Sequence, residues 1–272
     1  MLGKRIRQFI RSNRRSSAVQ IAASGCEKFL RAWHNDSWFE FDTNGERFAL
    51  SAFASWRGDK PTTVWDVGAH LGEWAEQAHA LLAKAHVTSF EIMPPVAEKL
   101  IERHGKSDWI TILAVGVSNQ PGEVEVTWNR DHDSTNAITP RLSSKWFAGE
   151  GLNRVKCPVT TIDLLVKERQ SAPDLLKIDV EGHESEVLEG ARELLASERA
   201  PSMIQFEYGE TWIPAGRLLH DQQAFLEECG YSIGRLYPDH VAFKRYEYAD
   251  EHFRMGNMIA VRDESLRKML AG

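Results

Sequence analysis

From residue 60 onward, short β-rich runs alternate with runs of helical periodicity, and nothing else in the sequence constrains the fold as tightly. Thr63 to Val67 is a β-rich run ending in Asp66-Val67-Gly68, followed by Trp74, Ala78, Leu81 and Leu82 at helical spacing. Val87 to Ile92 is a second strand, and its helix opens at Pro94-Pro95 with Ala97, Leu100 and Ile101 facing inward. Ile110 to Val117 reads as the third strand and Leu175 to Val180 as the fourth, with Val187, Leu188, Ala191, Leu194 and Leu195 striping its helix. Met203 to Phe206, Tyr231 to Leu236 and Met258 to Val261 complete the strands, with a helix through Phe225 and Leu226 closed by Gly230. Such alternation predicts an α/β fold: a doubly wound, mostly parallel sheet with helices on both faces.

Two regions stand outside the alternation. Residues 1–45 are expected to form a helical extension and residues 46–272 the main domain. A turn at Asn44-Gly45, flanked by Trp38, Phe39, Phe41, Phe48 and Leu50, suggests a hairpin. The extension starts basic, with Lys4, Arg5, Arg7, Arg11, Arg14 and Arg15 around a stripe of Ile6, Phe9 and Ile10. That pattern suits weak peripheral contact with an anionic membrane, docking to a partner, or a solvated helix over the domain edge. Residues 119–163 form a β-rich insertion after the third strand, with strands Glu123 to Trp128 and Val155 to Val159 around a polar loop. Residues 129–150 are expected to cover the acceptor site.

Composition narrows the function classes. A net charge of −6 offers no footprint for nucleic acid. Cys26, Cys157 and Cys229 show no paired spacing, which fits a reducing cytoplasm and argues against a disulfide framework or zinc knuckle. No apolar run reaches the length of a membrane span. The oligomeric state is left open, a homodimer among the options.

In a doubly wound sheet, ligands bind beyond the carboxyl ends of the strands. There the first strand reads Asp66-Val67-Gly68-Ala69-His70-Leu71-Gly72-Glu73, and the second ends in Glu91-Ile92. Gly68 permits a sharp turn, Gly72 close packing at the helix start, and Asp66 supplies an acceptor. Glu91 suits both ribose hydroxyls of a nucleoside. A dinucleotide fingerprint needs glycine where His70 and Glu73 stand, and a carboxylate at the helix start repels a diphosphate. The site therefore favours an adenosyl group bearing a sulfonium and an ammonium over NAD.

The order Val64-Trp65-Asp66-Val67-Gly68-Ala69-His70-Leu71-Gly72-Glu73, Phe90-Glu91-Ile92-Met93-Pro94, Thr161-Ile162-Asp163, Leu176-Lys177-Ile178-Asp179-Val180-Glu181-Gly182-His183-Glu184, Val187-Leu188-Glu189-Gly190-Ala191 and Phe206-Glu207-Tyr208 resembles the FkbM family of methyltransferases. The resemblance covers roughly residues 40–237 and rests above all on the Lys-Ile-Asp-Val-Glu-Gly segment. It implies a seven-stranded Rossmann-like sheet with the last strand antiparallel, S-adenosyl-L-methionine as cofactor, and O-methylation of hydroxyls on sugars, glycans or polyketide-like natural products. The expected cofactor residues are Asp66, Gly68, Ala69, His70, Gly72, Glu91, Ile92, Val117 and Asp179.

For a hydroxyl acceptor a base must take the proton. His183, Asp179 and Glu181 follow the fourth strand and are the candidates, with His183 favoured because an imidazole titrates near neutrality. Glu184 reads as an acid placed for the helix dipole, and Lys177 as facing away or paired with a carboxylate. Ser134, Asn136, Glu207 and Tyr208 are expected to touch the acceptor, and Trp128, Trp146 and Trp212 are candidates to line its cleft. The acids also suit magnesium, but no fixed ligand spacing supports one and no metal is expected. The competing readings are methylation of a peptide carboxylate or backbone nitrogen, and a non-catalytic adenosylmethionine-binding protein.

Overall fold

A computed structural model describes residues 2–128, 138 and 153–272. Three helices come first: α1 (Leu2–Ser12), α2 (Ser17–Trp33) and α3 (Glu46–Arg57). The α/β body then runs β1 (Thr62–Val67), α4 (Glu73–Leu81), β2 (Ala85–Phe90), α5 (Pro94–His104) and β3 (Ile110–Leu113). After it come β4 (Gly116–Val117), β5 (Gly122–Trp128), β6 (Asn153–Thr160), α6 (Ile162–Arg169) and β7 (Leu175–Ile178). The chain closes with α7 (Glu184–Glu189), α8 (Arg192–Leu195), β8 (Met203–Tyr208), α9 (Trp212–Ala215), α10 (Leu219–Glu228), β9 (Ser232–Leu236), β10 (Val241–Phe243), β11 (Gly256–Val261) and α11 (Glu264–Ala271).

The main sheet has the order β10-β9-β11-β8-β7-β1-β2-β3. Its central strands are parallel, and β11 runs antiparallel between β8 and β9. The described sheet has eight strands where seven were expected, because β10 pairs antiparallel with β9 as an added edge. The insertion makes its own sheet, β4-β6-β5. Gly116 and Val117 belong to that sheet, so the third strand stops at Leu113.

Other expectations needed correction. Asn44-Gly45 is not a hairpin turn: the Asn44 side chain accepts from the Glu46 amide, and Gly45 starts α3 at φ 102°. A turn residue that caps its own backbone serves a helix start as readily as a hairpin. Phe48 and Leu50 therefore lie on α3, which buries Ala49, Leu50 and Phe53 against the sheet. Ile101 is exposed, and His104 takes the inward position on α5. The helix after β7 breaks at Gly190, where a Cβ would lie 2.1 Å from the Ser118 carbonyl oxygen.

One face of the sheet is built in three rungs, because alternate residues of a strand share a face and parallel strands align them. The lowest rung is apolar: Val87, Val64, Leu175, Met203 and Val261. The middle rung is Ser89, Asp66, Lys177 and Gln205, all buried, ending at Ile259. Two residues further on stand Glu91, Gly68, Asp179 and Glu207, at the carboxyl edge. Lys177 Nζ lies 3.2 Å from Asp66 Oδ1 and 3.3 Å from Asp179 Oδ2. Glu46, reaching in from α3, accepts from the side-chain amides of Gln205 and Asn44. Burial opposes the lysine's charge, but Asp66, Asp179 and Glu46 outweigh it and push the pKa above the ordinary lysine value.

Removing one partner of a buried ion pair leaves the other charge uncompensated, at about 3–5 kcal/mol. Lys177→Met is expected to lose about that much stability in urea unfolding. Adding Asp66→Asn to it should restore part of the loss, since the stranded carboxylate is then gone.

Candidate active site

The crevice at the carboxyl edge is walled by two tight turns that touch. The first, Gly68 to Gly72, follows β1 with Gly68 at φ 82°, His70 at 48° and Gly72 at 86°. The second, Asp179 to His183, follows β7 with Glu181 at φ 57° and Gly182 at 99°. A Cβ on Gly68 would stand 1.8 Å from the Asp179 carbonyl oxygen, so only glycine lets the turns approach. A Cβ on Gly72 would press Leu100 and His104, which matches its expected role of close helix packing.

Glu91 organises the first turn. Its carboxylate accepts from the His70 amide at 2.9 Å and from the Met93 amide at 2.9 Å. Burial raises its pKa, and the two amides oppose the rise. Each carboxylate oxygen keeps a further lone pair, so the group can still accept from two ligand hydroxyls. The amides of Gly68 and Ala69 both donate to the Phe90 carbonyl at 3.0 Å. They are thus spent on the backbone, and Glu73 and Glu76 crowd the first turn of α4. Both facts disfavour a diphosphate there.

Glu184 organises the second turn. It is fully buried and accepts from the amides of Val180 and Gly182 and from Trp212 Nε1 at 2.9 Å. Burial pushes its pKa up to about 8, against the pull of those backbone donors. Its role is far larger than an acid at a helix start, and the sequence carried little sign of that.

The other expected residues divide. Asp179 is half-exposed at the end of β7, and Glu181 is half-buried beside it. Glu207 comes close: oxygens of Asp179, Glu184 and Glu207 lie within 4.8 Å of one another. Such a trio has the donor set of a hard cation, yet Lys177 already sits against Asp179 and Glu184 is occupied by donors. His70 is half-exposed at the rim, with Nδ1 3.9 Å from Glu73, and Ile92 is half-buried under Gly116. Ser134, Asn136 and Trp146, with the expected cover over residues 129–150, lie outside the described residues.

Several expectations are corrected. Asp66 does not face the crevice: it has no exposed surface and supports the site from beneath through Lys177. Val117 packs into the apolar core with Phe90 and Ile162. Tyr208 points to the opposite face from Glu207, donating to Glu251 at 2.9 Å and accepting from the Phe253 amide. Trp212 is core. His183 is largely buried, not an open base at the crevice. Its Nε2 pairs with Ser118 Oγ at 2.9 Å, its Nδ1 stands 3.5 Å from Glu186, and the ring is 11% exposed. Burial lowers its pKa against the field of Glu186. The imidazole latches α7 to the strand that opens the insertion. Lys177, Glu46, Glu184 and Ser118 were not assigned to the site from sequence. A lysine inside the apolar strand Leu175–Ile178 was the available signal, because lysine is almost never buried unpaired.

Glu184→Ala strands three buried donors, each worth roughly 1–3 kcal/mol when left without an acceptor. The variant is expected to lose at least about 3 kcal/mol in chemical unfolding.

The sequence profile of the methyltransferase FkbM domain matches residues 66–233, more than half of the chain. A hexuronic acid methyltransferase of Haloferax volcanii is 28% identical over 67% of this chain and 72% of its own length. A methyltransferase of Sordaria araneosa is 24% identical over 71% of this chain and 79% of its own. Among solved structures, an FkbM methyltransferase of Methylobacillus flagellatus superposes with TM-score 0.45 at 17% identity, over 75% of this chain. This chain spans 44% of the length of that one. The chain belongs to the FkbM methyltransferase domain family, and it is a methyltransferase.

Proposed function

We propose that the enzyme takes its methyl group from S-adenosylmethionine and transfers it to a hydroxyl oxygen of a sugar, glycan or polyketide-like acceptor. The observation that carries this reading is the pairing of the Glu91 cradle with Asp179 across the two touching turns. When bound, the cofactor supplies an electrophilic methyl on a sulfonium. The donor set fits it: the remaining lone pairs of Glu91 suit ribose hydroxyls, and the half-exposed Asp179 carboxylate, which Lys177 holds by Oδ2 alone, suits a cationic group at its other oxygen. A sugar acceptor is supported by the relative named for a hexuronic acid.

The chain's own part is to align acceptor with methyl and to accept a proton. Asp179 is the group we assign to that proton. It is half-exposed at the carboxyl edge, and the Lys177 ammonium holds its Oδ2 at 3.3 Å while the carboxyl rim stays open. His183, buried and paired through Nε2 with Ser118, is assigned a positioning role at the start of α7. A hexuronic acid also bears a carboxylate, and a carboxylate acceptor needs no base, so esterification is the second reading.

Three variants test these assignments. Glu91→Ala is expected to weaken S-adenosylmethionine by roughly 1.5–3 kcal/mol per lost charge-assisted hydrogen bond in calorimetric titration. Unchanged affinity in the folded variant removes Glu91 from the cofactor site. Asp179→Asn is expected to lower turnover on a hydroxyl acceptor by ~10²–10⁴, the usual worth of a general base. An undiminished rate on a uronic acid carboxylate would favour the ester. His183→Ala is expected to keep the parent's pH–rate profile while melting earlier.

A further inference from the structure

The α1 and α2 helices leave their apolar faces uncovered. Every described side chain of α1 is exposed, and α2 buries none. On α1, Ile6, Phe9 and Ile10 share one face, since residues three and four apart stack along a helix. Arg5 and Arg7 flank that stripe on either side, each about 100° from Ile6. On α2, Phe29 and Trp33 stack with centroids 6.3 Å apart, and both remain exposed. Trp38 and Phe39, just beyond α2, are exposed too. This is more exposed aromatic and aliphatic surface than helices that merely cover a domain edge present.

Charge decides what meets this surface. Residues 1–33 hold eight of the 33 Lys and Arg but one of the 39 Asp and Glu. They carry +7 while the rest of the chain carries −13. A two-fold contact between copies would set one cationic face against another. A nucleic acid would neutralise the arginines but leave the stripe of Ile6, Phe9 and Ile10 wet. An anionic bilayer surface takes both, apolar side chains entering the headgroup boundary and arginine heads staying among the phosphates. Tryptophans favour that same boundary. No described helix is long and apolar enough to cross a membrane, so the contact is peripheral.

We infer that α1 and α2 dock this methyltransferase onto an anionic lipid surface. Beside this surface, α2 also walls a cavity of about 580 Å³. Ala23, Cys26 and Leu30 line it on one side, and Glu210, His252 and Phe253 on the other. Glu210 lies just past the carboxyl end of β8, the edge that carries Asp179 and Glu207.

Co-sedimentation of the full chain with vesicles tests this. Binding to phosphatidylcholine vesicles containing phosphatidylglycerol should exceed binding to phosphatidylcholine alone at least about tenfold, and added salt should weaken it. Phe9→Glu and the pair Arg5→Glu with Arg7→Glu should each cut the anionic binding at least about tenfold, leaving circular dichroism unchanged. Equal binding to both vesicles, no binding, or binding indifferent to these variants overturns the inference. So does a dimer in lipid-free sedimentation equilibrium that Phe9→Glu dissociates, which would make the face an interface between copies.

Discussion

Lys177 sits inside the sheet paired with two carboxylates, and the crevice is built on that arrangement. An ammonium is costly to bury, and only close anions make the position tolerable. Asp66 meets it from β1 and Asp179 from the end of its own strand, and the field of Glu46 on α3 adds to theirs. Gln205 of β8 closes the rung by donating to Glu46. Four elements are thereby held in one register at the height where the strands end. The helix that precedes the α/β body becomes part of the site through Glu46.

Above that rung the backbone is forced into unusual conformations. Non-glycine residues at positive φ cost free energy and persist where surrounding contacts over-determine them. His70 and Glu181 are such residues, one in each turn. Each turn is tied by a buried carboxylate that gathers amides: Glu91 for the first and Glu184 for the second. Glu184 also takes the indole of Trp212, so the second turn is anchored to the segment after β8. The turns then lock together where Gly68 meets Asp179. Ser118 and His183 extend the scaffold to the insertion sheet, which places the strands β5 and β6 beside the crevice.

Much of the frame was legible along the chain. The alternation of β-rich and helical runs predicted the central strands, and Gly68, Gly72 and Glu91 fell at the strand ends where a ligand is expected. Glu207 and Tyr208 show where linear reading goes astray. Both were placed at the acceptor, yet adjacent strand residues face opposite ways, so only Glu207 reaches the crevice. Asn44-Gly45 failed for another reason: a side chain that caps a backbone amide looks alike in a turn and at a helix start.

By itself the sequence determined the class of sheet, the place of the first turn, the need for glycine at 68 and the acid at 91. Those follow from periodicity and from backbone sterics, which are local. Tertiary structure alone decided the jobs of the charged residues. Asp66 became a buried counter-ion and Glu184 a turn anchor, while His183 became a latch onto Ser118. An ionisable side chain takes its role from what surrounds it in space, and Asp66 and Lys177, or Ser118 and His183, meet only once the chain has folded.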